Sequence, residues 1–178
     1  MSERCIAAFA LTILLSGTQV LAREPGSHVH GSATLQIAVD GPAVQVMFET
    51  PLDNLLGFER APRTPLEQQA AQAMRATLQR PEALLVFTPE AGCVPENTQI
   101  TAPVLDPDPG AAGAHGPFSH AALQAEVMYL CRRPSALTSV DVRLFDAFSG
   151  MHTLRAQVAG PRGQAGAVLT SKQRRLSW

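Results

Sequence analysis

The chain has 178 residues, is 46% apolar and carries a formal net charge of −1. So apolar a composition counts against disorder, and the balanced charge, without a basic stripe, counts against a nucleic-acid partner held through its phosphates.

Residues 1–22, "MSERCIAAFALTILLSGTQVLA", have the build of a cleavable signal peptide. Arg4 supplies the basic start, residues 5–15 the apolar run, and Val20-Leu21-Ala22 a small-residue cleavage site. The run is too short to span a bilayer comfortably. Cys5 precedes it, which argues against a lipoprotein. The expectation is one exported domain over 23–178, with no membrane anchor in the mature chain. Loss of Cys5 leaves Cys93 and Cys131. In an oxidising compartment such a pair reads as a disulfide, worth about 4 kcal/mol in the chain-entropy account. Two free thiols or two metal ligands are the rival readings.

Residues 29–39 alternate, with Val29, Gly31, Ala33, Leu35, Ile37 and Val39 on one side and His28, His30, Ser32, Thr34 and Gln36 on the other. That is a half-buried strand. Turn residues at 40–43 and renewed alternation at Val44, Val46 and Phe48 predict a hairpin over 30–50. Thr64, Pro65 and Glu67 form a helix-start signal, and Leu66, Ala70, Ala73, Met74 and Leu78 an apolar stripe ending before Pro81. Strands are expected at 84–88 and 97–105. Residues 106–117, rich in Pro, Gly and Ala, predict a mobile loop. Residues 118–131 alternate again, with Ala121 to Cys131 apolar on one side and His120, Gln124 and Glu126 on the other. Residues 135–150 fit either helix or strand. Strands at 153–160 and 165–170 flank a turn at 161–163. The fold class is α+β: a mainly antiparallel β-sheet with one or two helices packed on its apolar face.

Side chains at i and i+2 of a strand share a side, so His28 and His30 both leave the core side. If the strand carrying His120 and Glu126 lies near, one face holds three imidazoles and a carboxylate, the N/O donor set that zinc accepts. The 106–117 loop, with Asp106, Asp108 and His115, is placed to act as a lid or docking arm. The rival reading makes the H-x-H pair solvated and incidental, on a sheet that serves as a non-metal binding or interaction module. His152 reads as a strand-end or core histidine. The chain lacks G-x-S-x-G, a Gly-rich phosphate loop and H-E-x-x-H. Ser119 and His120 would face opposite ways on a strand. Asp53 and Glu59 flank Gly57-Phe58 without an obvious partner, and Asp53 reads as a turn or cap residue. An enzyme is not expected.

Several long, irregular segments then carry a resemblance: "HVHG" at 28–31, "PLDNLLGFERAPRTPLEQQA" at 51–70, "PEALLVFTPEAGC" at 81–93, "VMYLCRRPSALTSVDVRLFDAFSG" at 127–150 and "GPRGQAGAVLT" at 160–170. In this order and spacing they resemble the ZrgA-like family of exported proteins linked to zinc uptake. The resemblance implies a periplasmic zinc-binding protein that feeds or buffers a zinc importer, with a periplasmic importer component as partner. It carries His28 and His30 over from the family's H-x-H-G start, Cys93 and Cys131 as paired cysteines, and His120 and Glu126 from a strand rich in histidine among relatives. The ligand set expected is His28, His30 and His120, completed by Glu126 or water. The chain departs from many relatives in lacking a long His/Asp/Glu-rich insertion at 106–120, and in having Arg60, Gln124, Met128 and Leu130 where histidine is frequent. Each missing imidazole removes one bond to the metal, so the resemblance implies one modest site, or none, rather than high capacity.

Overall fold

Alternating apolar residues dictate two sheets. The computed structural model describes residues 30–106 and 122–178. The expected signal, His28, residues 107–117 of the loop, and His120 lie outside them. The hairpin of β1 (Ser32–Asp40) and β2 (Ala43–Pro51) forms as expected, turning at Gly41-Pro42. It sits in the middle of a six-stranded sheet ordered β4-β5-β2-β1-β7-β8, with β4 (Cys93–Thr101), β5 (Ala122–Cys131), β7 (Thr153–Gly160) and β8 (Gly163–Leu169). Neighbours in this sheet are antiparallel except β1 and β7, which run parallel. A second, antiparallel sheet joins β3 (Leu85–Phe87), β6 (Ser139–Val142) and β9 (Arg175–Ser177). Four helices complete the described fold: α1 (Asp53–Leu56), α2 (Pro65–Leu78), α3 (Pro81–Leu84) and α4 (Leu144–Ala147). The class is α+β and mainly antiparallel, as the alternation predicts.

The inward residues of both sheets share one apolar cluster with Met74 and Leu78 of α2. Leu35, Val46, Leu123, Leu137 and Leu154 are fully buried within it. Phe87 of β3 meets Tyr129 of β5 edge-on, ring centroids 4.9 Å apart, so an aromatic pair ties the small sheet to the large one. Each buried Leu of this kind contributes about 1.5–3 kcal/mol.

Local departures have local causes. α2 starts where expected: Thr64 Oγ1 accepts the Glu67 N–H at 3.2 Å, and Pro65 takes the first helical position. Its buried stripe, however, is Ala71, Met74 and Leu78, and Leu66 is 76% exposed. Only the later turns reach the core, so the first-turn leucine projects past it. β4 begins at Cys93, four residues earlier than the alternation suggests. Its place at the sheet edge tolerates Pro95, beside which the register shifts by one residue. Residues 135–150 resolve into both alternatives in turn, strand β6 and then helix α4.

Cys93 and Cys131 are disulfide-bonded and stand opposite each other in the β4–β5 register. The bond pins the edge strand at its first residue. Replacing both cysteines with serine should cost about 2–4 kcal/mol in urea unfolding and speed amide exchange in β4 more than in β1. Equal stability of the two proteins would show that the bond constrains little.

Candidate functional site

The β1–β2 register places residue 34 opposite residue 49 and residue 40 opposite residue 43. Continued outward, it sets position 30 against position 53. There β2 has ended, the buried Leu52 turns the chain, and α1 starts at Asp53. His30 Nδ1 lies 2.6 Å from Asp53 Oδ2. An ionised carboxylate only accepts, so Nδ1 carries the proton and donates. The other ring nitrogen, Nε2, is left as the acceptor of the neutral imidazole. The His30 side chain is 66% exposed and that of Asp53 32%.

This geometry is held from below by Asn54, which is buried. Its Oδ1 accepts the Gly31 N–H at 2.6 Å, and its Nδ2 donates to Ser32 O and Thr50 Oγ1, both at 2.9 Å. Gly31 O in turn accepts from the N–H groups of His152 and Thr153 at 2.8 and 2.9 Å. Gly31 has φ +80, and a Cβ built there would lie 2.6 Å from the His152 ring. No other residue fits this position without displacing that ring. His152 is thus an exposed strand-end histidine, packed on Gly31 rather than in the core.

The imidazole of His30 is held above its ordinary pKa of 6.5. The hydrogen bond to Asp53 is the main cause, followed by the charge of that carboxylate, with slight desolvation opposing and Glu59 adding a little. The native charged form is therefore favoured below 6.5, and that contribution fades as pH rises through the elevated native value.

Of the expected metal ligands, the two within the described residues, His30 and Glu126, lie apart. Glu126 stands opposite Met47 in β5–β2, and Met47 stands opposite Gln36 in β2–β1. Glu126 is therefore six positions along the strand direction from His30, about 20 Å, and two strands across. Parity put both on a polar side, but register sets them at different heights, so the structure does not bring them together. β5 does begin at Ala122 opposite Pro51, at the end of the sheet where Asp53 and His30 meet. Asp106 is held by Arg75 at 2.5 Å and accepts from the Ala102 N–H, which makes it an anchor for the end of that segment rather than a free lid residue. Among the described residues, no group of three His, Cys, Asp or Glu side chains is placed to hold a metal.

The partner of His30 that the sequence reading missed is Asp53, read there as a turn or cap residue. The signal was present: a hairpin turning at 41–42 sets 30 opposite 53 by counting alone. Arg60, at a position where the resemblance leads one to look for histidine, does structural work. Its guanidinium forks onto Glu67 at 2.9 and 2.7 Å and lies 5.1 Å from the Phe58 ring centroid. Glu67 also accepts the Arg63 N–H at 2.6 Å. Arg60 first, and the Arg63 amide next, pull its carboxyl from 4.5 down to about 2.

These features define a disulfide-closed α+β sheet protein with a solvent-facing imidazole backed by a carboxylate at one sheet end. The chain belongs to the ZrgA family of zinc uptake proteins, whose model matches residues 27–178. That family is one of metal uptake, not of enzymes. No curated protein matches the chain. No described helix is long and apolar enough to cross a membrane.

Two titrations test the geometry. Asp53→Asn should lower the His30 midpoint seen by NMR, and an unchanged midpoint would mean the pair does not form in solution. Arg60→Ala should raise the Glu67 midpoint from about 2 toward 4.5. Because the native carboxyl is the more acidic, its stabilising effect is present above 4.5 and drains away as pH falls toward 2. The variant should therefore lose stability at neutral pH and converge with the parent protein in acid.

Proposed function

We propose that the protein is a periplasmic zinc-binding accessory that captures or buffers the ion for an importer. The observation that carries this reading, in a chain of a zinc uptake family, is the His30–Asp53 pair. An imidazole that donates its far N–H to a carboxylate is the usual state of a zinc-ligating histidine. The carboxylate fixes the tautomer, aims the ring and makes the free nitrogen more basic. His30 Nε2 is the first ligand, at about 2.0–2.1 Å from the ion.

Chain connectivity supports the other donors. His28 is tethered two residues before His30, and His120 two residues before Ala122. Two residues span at most about 7 Å, a short tether in each case. Water completes the shell in place of Glu126. Cys93 and Cys131 are consumed in their disulfide and donate nothing. Zinc binds the neutral ring, so Asp53 acts in two directions: it strengthens the donor and raises the proton's hold on it. Affinity weakens as pH falls, which suits a protein that must also release its cargo. Export to the periplasm agrees with the disulfide and with the sequence of residues 1–22.

Titration calorimetry with Zn²⁺ tests the reading. One ion per chain is expected, with affinity at least tenfold lower in His30→Ala and unchanged in Glu126→Gln. An isotherm unaffected by combined His28→Ala and His30→Ala substitutions would overturn it. The absence of a three-donor group among the described residues would then favour the non-metal interaction module.

A further inference from the structure

The two edges of the large sheet are unlike. Edge strands expose unpaired N–H and C=O groups, and proteins that remain single blunt them with proline, charge or a bulge. β4 has all three: Pro95 lacks an N–H, Glu96 is charged, and the register shifts between Pro95 and Asn97. β8 has none. Its sequence, GQAGAVL, contains no proline and no charge, and its register with β7 runs unbroken from Gly160↔Gly163 to Leu154↔Leu169. Among the described residues nothing pairs with its other side. Its residues before Leu169 are exposed except the half-buried Ala165, and Val168 is 58% exposed.

Gly166 adds a separate observation. Its φ is ordinary, and a Cβ there would sit 3.4 Å from Ala156 O and 3.6 Å from Gln157 Cγ, within contact range. Neither the backbone nor the space demands glycine. A glycine inside a strand often marks a bulge, a tight bend, or close approach by a ligand or another backbone, and the β7–β8 ladder has no bulge here.

We propose that two copies of the chain pair through β8, antiparallel across a twofold axis at Gly166. This register keeps all seven residues in the ladder. It sets Gln164 against Val168 of the second copy and Ala165 against Ala167, so small side chains line the axis and Val168 is covered. In this register a charge at 166 would face its own copy, and one at 165 or 167 would face an alanine. β8 is free of charge from Gly163 to Leu169, which is why the second copy is the occupant it fits. The contact is isologous and closes after two copies. A single seven-residue seam buries less than the roughly 1,200–2,000 Å² of a standard interface, so the dimer is weak and depends on concentration. It does not involve the His30 end of β1 and does not rest on zinc.

Sedimentation equilibrium of the metal-free protein should show the mean mass rising from monomer toward dimer with concentration. Val168→Lys should weaken association at least tenfold. Directly opposed residues in an antiparallel pair have Cα atoms about 4.5–5.5 Å apart, within disulfide reach. Gly166→Cys should therefore cross-link into a covalent dimer in a glutathione redox buffer, while Ala38→Cys, exposed on a central strand, should not. Unchanged thermal melts would show that the variants fold. The proposal is overturned by a strict monomer at every concentration, by a dimer indifferent to Val168→Lys, or by cross-linking no faster from position 166 than from 38. Amide protection of β8 in a strict monomer would mean that the chain covers this edge itself, and would overturn it equally.

Discussion

The candidate site depends on one buried carboxamide. Asn54 has its polar atoms engaged with Gly31, Ser32 and Thr50. Those bonds lock the start of α1 to the start of β1. A buried amide that loses such partners strands several polar groups at once, each costing about 1–3 kcal/mol. Asp53 and His30 are the immediate neighbours of the groups Asn54 clamps, so their 2.6 Å contact inherits the rigidity of the core. Gly150 belongs to the same arrangement: a Cβ there would press within 2.6 Å of Asn54 O. Gly150 thus leaves room for the Asn54 backbone, and Gly31 leaves room for the His152 ring.

The strands were legible because alternation is a local property. β1, β2, β5 and β7 each show a clean period of two, and their inward residues are those that pattern names. The capping signal at Thr64-Pro65 was equally local. What lay beyond reach was how elements stack. Leu66 has helical spacing, but only the tertiary position of α2 decides which of its turns meet the core. β9 is a three-residue strand among charged neighbours and has no periodicity to read. The small sheet needs β3, β6 and β9 from distant parts of the chain, and none of them is long enough to announce a partner.

The site shows the same division. That His30 faces solvent was readable from parity. That Glu126 lies far from it was not, since parity reports the side of a sheet and says nothing of height along it. The pairing of His30 with Asp53 was recoverable by counting through the hairpin, a step that treats the turn as a ruler. Arg60 illustrates a different limit. Its charge is visible in the sequence, yet only the fold shows it spent on Glu67 and the entry of α2.

The parallel pairing of β1 with β7 joins residue 32 to residue 153, and Gly31 O accepts from the amides at 152 and 153 and from the Thr153 hydroxyl. The hairpin that carries His30 can form early, but its outer flank stays open until most of the polypeptide has been made and moved. Such distant contacts form slowly. An incomplete chain therefore lacks the finished end of the sheet, and the surroundings of His30 are complete only once β7 is in place.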